Sequence, residues 1–266
     1  MEDYSPAFCI FGYLRLVMNL YNYANYNQVL ICGDIHGEFD VVYGDSRIQN
    51  TLIIVAGDCG FGFYSPEYYE QLYKNKMSRC LSKNRNTVLF VRGNHDDPTY
   101  FDGKFFNHKW AVCIPDYSVV QTADHSILCV GGATSIDRTW RIEHTECSSK
   151  VLYWENEKPI LDAKKIEEIS LTDIHIDTVI THTSPAFCEP QTKSGVGRWI
   201  DEDPHLNNDL TIERSTMTGL FRLLKMYNHP LKQWWYGHFH FSKWQEYDGC
   251  YFRLLDIGEK DYLREL

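Results

Sequence analysis

Three short runs of β-branched and apolar residues, VLIC (29–32), TLIIVA (51–56) and TVLFV (87–91), each lead almost at once into a glycine. Runs this short and this continuously apolar are buried on both faces, as strands inside a largely parallel sheet are. Between the second and third runs, Ser65 can cap a helix and Pro66 suits its first turn. Tyr69, Leu72, Tyr73, Cys80 and Leu81 give that helix an apolar stripe. Strand, crossover, strand, helix, strand confines the chain to the α/β class.

Further along, strands dominate. WAVCI (110–114), SILCV (126–130) and DTVIT (177–181) read as strands, and QWWYG, FHFSKWQEY and CYFRLLDI as closing ones. A second helix is expected over about 211–227, with Ile212, Leu220, Phe221, Leu223, Leu224 and Tyr227 on one face. Residues 1–27 show no period and read as an N-terminal extension, leaving 28–266 as a single domain. Residues 189–209 read as a long loop, and loops of that length in compact domains are often functional. Trp199, within it, is the one aromatic expected to cover a site.

Lys and Arg number 26 against 36 Asp and Glu, a formal charge of −10. That balance argues against a protein held on nucleic acid by a broad basic face. A small phosphorylated ligand remains compatible, because bound cations reverse the local field of an acidic site. The 9 cysteines are irregularly spaced, and several lie inside apolar runs. They fit reduced, buried thiols and a cytoplasmic compartment better than a disulfide framework. The start of the chain, with Arg15 interrupting its apolar stretch, does not read as a signal peptide, and no run approaches a membrane span.

Four glycine-punctuated motifs sit at the ends of expected strands: GDIHG (33–37), GD (57–58), GNHD (93–96) and GHFH (237–240), with THTSP (181–185) before the last. The carboxyl ends of strands in an α/β sheet are where ligands bind, and glycine there allows close approach. These turns present Asp34, His36, Asp58, Asn94, His182, His238 and His240. A mixed oxygen and imidazole set without thiolate spacing suits two divalent cations such as Mn, Fe or Zn. In Asp34-Ile35-His36 and in His238-Phe239-His240, side chains two apart can face one point. One cation could take Asp34, His36 and one of the terminal histidines; the other, Asn94, His182 and the remaining histidine. Asp58 is the natural bridge, since a carboxylate has lone pairs enough for two cations.

The series D-x-H, GD, GNHD, H and G-H-x-H resembles the calcineurin-like metallophosphoesterase superfamily over residues 34–240. The resemblance implies a sandwich of two mixed β-sheets flanked by helices. It implies one metal on Asp34, His36, Asp58 and His240, and another on Asp58, Asn94, His182 and His238. His95 becomes the group that binds phosphate and protonates the leaving oxygen, and a metal-bound hydroxide the nucleophile. The implied activity is hydrolysis of phosphate esters, of a small molecule or of a phosphoprotein. A phosphodiesterase or dinucleoside polyphosphate hydrolase is the chemical alternative, and a non-catalytic scaffold the alternative of another class.

Arg92 in VRGNHD resembles the serine/threonine protein phosphatases and dinucleoside tetraphosphatases, where that arginine grips phosphate. The second motif departs from them. In GDCGFGF, Phe61 stands where that branch has an Asp that orients the catalytic His, and Gly62 where it has a second Arg. Arg138 and Arg141 are therefore expected as substitute phosphate partners, and Asp97 as the carboxylate facing His95. His108, His125, His144, His175, His205 and His229 lack such contexts and read as ordinary structural or surface residues.

Overall fold

The computed structural model describes residues 18–26, 28–147, 151–191 and 195–264. The chain opens with β1 (Leu20–Asn22), β2 (Gln28–Cys32), α1 (Asp40–Tyr43) and β3 (Thr51–Val55). There follow α2 (Pro66–Leu72), a π-helical turn (Tyr73–Met77), α3 (Ser78–Asn84) and β4 (Thr87–Phe90). A 3₁₀ turn (Pro98–Phe101) leads to β5 (Asn107–His108), β6 (Ala111–Cys113), β7 (Ser118–Gln121) and β8 (Ser126–Val130). Then come α4 (Arg138–Cys147), α5 (Ala163–Ser170), β9 (Thr178–Thr181), α6 (Gly197–Glu202) and α7 (Leu206–Met226). The last strands are β10 (Gln233–Tyr236), β11 (Lys243–Tyr247), β12 (Cys250–Leu254) and β13 (Lys260–Tyr262).

The strands form two mixed sheets. Six lie in the order β13-β2-β3-β4-β6-β5, and seven in the order β1-β7-β8-β9-β10-β12-β11. Strands β2, β3, β4 and β6 are parallel, as are β8, β9, β10 and β12. Their register explains why the runs are apolar throughout. Ile31, Ile54, Leu89 and Val112 pair across the first sheet, while Cys129, Ile180 and Trp235 pair across the second. These two rows share one core between the sheets. The next row outward, Cys32, Val55, Phe90 and Cys113, packs instead with Tyr69, Met77 and Leu81 of the α2–α3 segment. On the other side, Leu128, Val179, Trp234 and Phe252 pack with Ile166, Ile169, Met217, Leu220 and Leu224 of α5 and α7. The α/β class and the helix-flanked sandwich of two mixed sheets are what the molecule has.

Several element boundaries differ from expectation. Leu20–Asn22, inside the span read as an extension, pairs with β7 at the edge of the seven-stranded sheet; residues 1–17 and 27 lie outside the described residues. Residues 189–209 are not a continuous loop but contain α6 and the first turn of α7. Leu206 and Leu210 extend the buried stripe of α7, whereas Ile212, expected on that stripe, is exposed. The polar residues between Leu206 and Leu210 hide that turn's period. The run FHFSKWQEY becomes strand only from Lys243, because His238 and His240 take left-handed backbone that an extended strand excludes. Cys32, Cys59, Cys80, Cys113, Cys129, Cys188 and Cys250 are free thiols. Among the described residues no helix is long and apolar enough to cross a membrane.

Candidate metal centre

The two sheets present the ends of their parallel strands to one place. The turns after β2, β3 and β4 carry Asp34 and His36, Asp58, and Asn94; those after β9 and β10 carry His182, and His238 and His240. Four of these seven, His36, Asp58, His238 and His240, have φ between 43° and 70°. A non-glycine residue pays for left-handed backbone, so four in one cluster mark a site the surrounding structure over-determines. The motif glycines are there for space. A Cβ on Gly57, whose φ is 97°, would lie 2.2 Å from His182 Nδ1. One on Gly93 would lie 2.1 Å from Asp58 Oδ1.

The side chains converge in two groups that share one carboxylate. Asp34, His36, Asp58 and His240 offer ligand atoms within 4.8 Å of one another, and so do Asp58, His182 and His238. In the first, His36 Nε2 and His240 Nε2 are 3.1 Å apart, across 204 positions of sequence, and His240 Nε2 is 3.1 Å from Asp34 Oδ2. In the second, His182 Nε2 lies 3.0 Å from both Asp58 Oδ1 and Asn94 Oδ1. His240 thus goes with the first group and His238 with the second, a choice that spacing left open.

This donor set fits cations. His182 Nδ1 lies 2.8 Å from the Ala56 carbonyl, which accepts its N–H, so in the neutral ring the Nε2 lone pair would face two oxygen lone pairs. Such a meeting is repulsive unless a proton or a cation fills it. A ligating histidine fixed through its other nitrogen by a backbone carbonyl is the usual supporting arrangement. Burial opposes the charged form of His182, but Asp58 and Asp34 override it and push its pKa up to about 10. Burial likewise works against ionised Asp58, and His182, His95 and His36 nevertheless hold its carboxyl well below the usual range. Burial, with charge on His182, keeps His238 well below an ordinary imidazole.

Asn94 is oriented from behind. Its Nδ2 donates to Ser135 Oγ at 2.9 Å, and Ser135 sends its own hydroxyl proton to Glu157 Oε2 at 2.6 Å. The Ser135 amide donates to the other Glu157 oxygen at 2.7 Å. A serine has one hydroxyl proton to give, so Glu157, when ionised, takes it, fixes the direction of the chain and leaves Asn94 Oδ1 turned toward His182. Glu157 is fully buried, and burial, with Glu213 nearby, raises its pKa to about 8 despite the Ser135 bonds. Neither Ser135 nor Glu157 was singled out by sequence. The one signal was that residues 131–135 leave β8 through glycines as the motif turns leave theirs.

His95 sits beside the shared carboxylate, its Nδ1 3.8 Å from Asp58 Oδ2. Burial lowers its pKa to about 4; Asp58 opposes this, while Arg141 and His36 add to it. The expected carboxylate partner is corrected. Asp97 instead caps the 3₁₀ turn, accepting from the amide and hydroxyl of Thr99. Asp96 points inward and accepts from the amides of Cys59, Gly60, Phe61 and Gly93. It therefore ties the second motif to the third. Phe61 does not adjoin His95's ring but fills an aromatic core, with ring centroids 4.9–5.4 Å from Phe106, Tyr69, Phe90, Phe39 and Tyr100.

The three arginines separate. Arg92 is buried, with Nη1 on the carbonyls of Asn156 and Glu157 and Nη2 2.9 Å from Asp116. Its guanidinium anchors the 156–157 segment and does not line the cavity beside His95. Arg138 is locked between Asp203 and Asp209 at 2.5 Å each, joining α4 to the start of α7, and does not line the cavity either. Arg141 does line it, together with His95 and Asp137, which holds Arg141 Nε at 2.7 Å. That cavity measures about 630 Å³ and also reaches Trp199. The histidines read as ordinary find local partners: His108 on Glu70, His125 on Asp177, and His229 on the Ile176 amide.

A family model described as calcineurin-like phosphoesterase matches residues 28–242. The serine/threonine-protein phosphatase 6 catalytic subunit of Caenorhabditis elegans is 28% identical over 206 residues, covering 70% of this chain and 57% of that protein. The chain thus spans less than two thirds of that relative's length. Among solved structures, the protein TT1561 of Thermus thermophilus is similar with a TM-score of 0.47 and 10% identity, covering 90% of this chain and 99% of that one. The phosphopantetheinyl hydrolase of Mycobacterium tuberculosis is similar with a TM-score of 0.42 and 15% identity, covering 88% and 91%.

Proposed function

This chain belongs to the calcineurin-like phosphoesterase family, and on that premise we propose that it hydrolyses phosphate esters at a centre for two divalent cations, of the Mn, Fe or Zn kind. The observation that carries the reading is Asp58, a carboxylate common to two groups of metal-capable side chains. Asp34, His36 and His240 would hold one cation with it, and Asn94, His182 and His238 the other. Bound there, the pair would supply an activated water and neutralise the phosphoryl oxygens.

The chain's own residues do the rest. His95 faces the cavity beside Asp58 and gives its ring proton to the leaving oxygen. A buried imidazolium is disfavoured here, so the proton arrives with the substrate, whose phosphate charge stabilises it. Arg141, held by Asp137 at Nε and by the Leu152 carbonyl at Nη1, offers Nη2 to the phosphoryl group. Glu157 and Ser135 keep the Asn94 oxygen aimed inward. The presence of every expected ligand residue in both groups, together with His95, supports an enzyme over a scaffold.

The test is phosphate release from p-nitrophenyl phosphate, its bis-ester, diadenosine tetraphosphate and a phosphopeptide, with Mn²⁺, Fe²⁺ or Zn²⁺ supplied in turn. Turnover that needs the metal and is lost in Asp58→Asn supports the reading. No turnover of any ester under any of the three metals would overturn it.

A further inference from the structure

A phosphoryl group held at the metal centre fills only a small part of the adjoining cavity. At about 630 Å³ the space falls in the range of pockets that enclose a whole small organic ligand. Asp58, Asn94, His95, His238 and His240 all line it, so cavity and centre are continuous. Since His95 lies in that lining, an ester oxygen placed to receive its proton directs the organic group into the same space.

The lining says what that group is. Ile136, Val196, Trp199, Leu210, Phe239 and Phe241 make it largely apolar, with Trp199 the largest aromatic side chain among them. Its charges are balanced and largely committed. Arg141 faces Asp137, and Arg214 spends its terminal nitrogens on the carbonyls of Pro185, Cys188 and Pro190 while lying 5.2 Å over the Phe239 ring. Glu213, also in the lining, accepts from Thr134 and Thr183. Arg92 and Arg138, the other two cations sequence suggested, point elsewhere. A polyphosphate or second anionic group would find no further uncommitted cation among these residues, whereas a neutral ring would find a ready apolar lining.

Resting on the phosphoesterase reading, we propose that the substrate is a phosphate ester of an uncharged, ring-bearing alcohol, its ring held in this cavity against Trp199. The experiment compares ethyl, 2-phenylethyl and 2-(1-naphthyl)ethyl phosphates, whose leaving alcohols have similar basicity, so the chemical step does not decide the outcome. Burying a ring should raise kcat/KM for the naphthyl ester over the ethyl ester by roughly 10–100-fold. Trp199→Ala should lower that ratio about tenfold, chiefly through KM. Val196→Asp, at a half-buried position, puts a carboxylate beside the ring and should lower the ratio as well. Equal kcat/KM for the three esters, equal losses for all three in both variants, or faster turnover of a phosphopeptide than of any ring ester would overturn the proposal. If no ester is turned over, the parent reading has failed. Calorimetric binding of 2-(1-naphthyl)ethylphosphonate against ethylphosphonate to the Mn²⁺-loaded protein then decides the cavity alone: tighter naphthyl binding upholds the ring site, and equal binding rejects it.

Discussion

The backbone amide of His95 donates to Asp58 Oδ1 at 2.9 Å, so the loop that carries the proposed acid is fastened to the carboxylate both ligand groups share. Replacing Asp58 therefore strikes two cations and one loop. Asp58→Asn should lower total metal content more than His36→Ala, which removes a ligand from one group alone. Elemental analysis of the purified variants checks this. Two tightly held metals in Asp58→Asn would refute the bridging role.

His95 belongs to neither ligand group, and His95→Ala should keep the fold and both metals. The expected loss is in kcat, by roughly 10²–10⁴-fold, the scale of a positioned general acid. Nitrophenyl esters, whose leaving group needs little protonation, should suffer less than alkyl esters. Equal losses for both would make His95 a binding group instead.

Glu157→Gln tests the orientation of Asn94. Above about pH 8, where Glu157 is ionised, an amide facing Ser135 Oγ donates where the carboxylate accepted, which sends the Ser135 proton toward Asn94 and should turn the Asn94 NH₂ to the second ligand group. Metal affinity of the second group should weaken by roughly 10–100-fold, the usual effect of removing a supporting residue. Glu157→Asp, an acceptor still, should recover part of it. Competition titration with a chromogenic chelator reads both variants; unchanged affinity in Glu157→Gln removes the residue from the site's support.

Metal uptake should expel a proton from His182. In the metal-free protein, Asp58 and Asp34 outweigh burial and hold its pKa at about 10, against 6.5 for an ordinary histidine. The proton therefore stabilises the metal-free fold fully below about pH 6.5, and that contribution disappears as pH rises through about 10. Cations need the bare Nε2, so their apparent affinity rises across the same window. Calorimetry near neutral pH in buffers of different ionisation enthalpy should show proton release as the second group fills. Uptake without release would place the proton elsewhere.

Strands β2, β3, β4, β8 and β9 were legible because each is covered on both sides and so is apolar along nearly its whole length. The ligand set was legible because it depends on close approach, and close approach writes glycine beside Asp, Asn and His. Orientation was not. Asp96 and Asp97 are chemically alike, and only the nest of amides from residues 59–61 decides that Asp96 turns in. Phe61 occupies a motif position yet belongs to the core under α2, a packing fact with no local signature. Nothing local to Arg92 signals that the 156–157 carbonyls, over sixty positions away, accept from its guanidinium.

His36 and His240 meet although nearly the whole family-matched region separates them. Closing so long a loop costs entropy that no local contact offsets, and it waits until the sheets that carry its ends are in place. Asp34, His36 and Asp58 come together with the six-stranded sheet; His182, His238 and His240 arrive only when the seven-stranded sheet has docked on it. Each ligand group therefore draws on both sheets, and neither is complete on one sheet alone. A centre assembled this way should lose both ligand groups together when the two sheets separate, since Asp58 lies on one sheet and His182, His238 and His240 on the other.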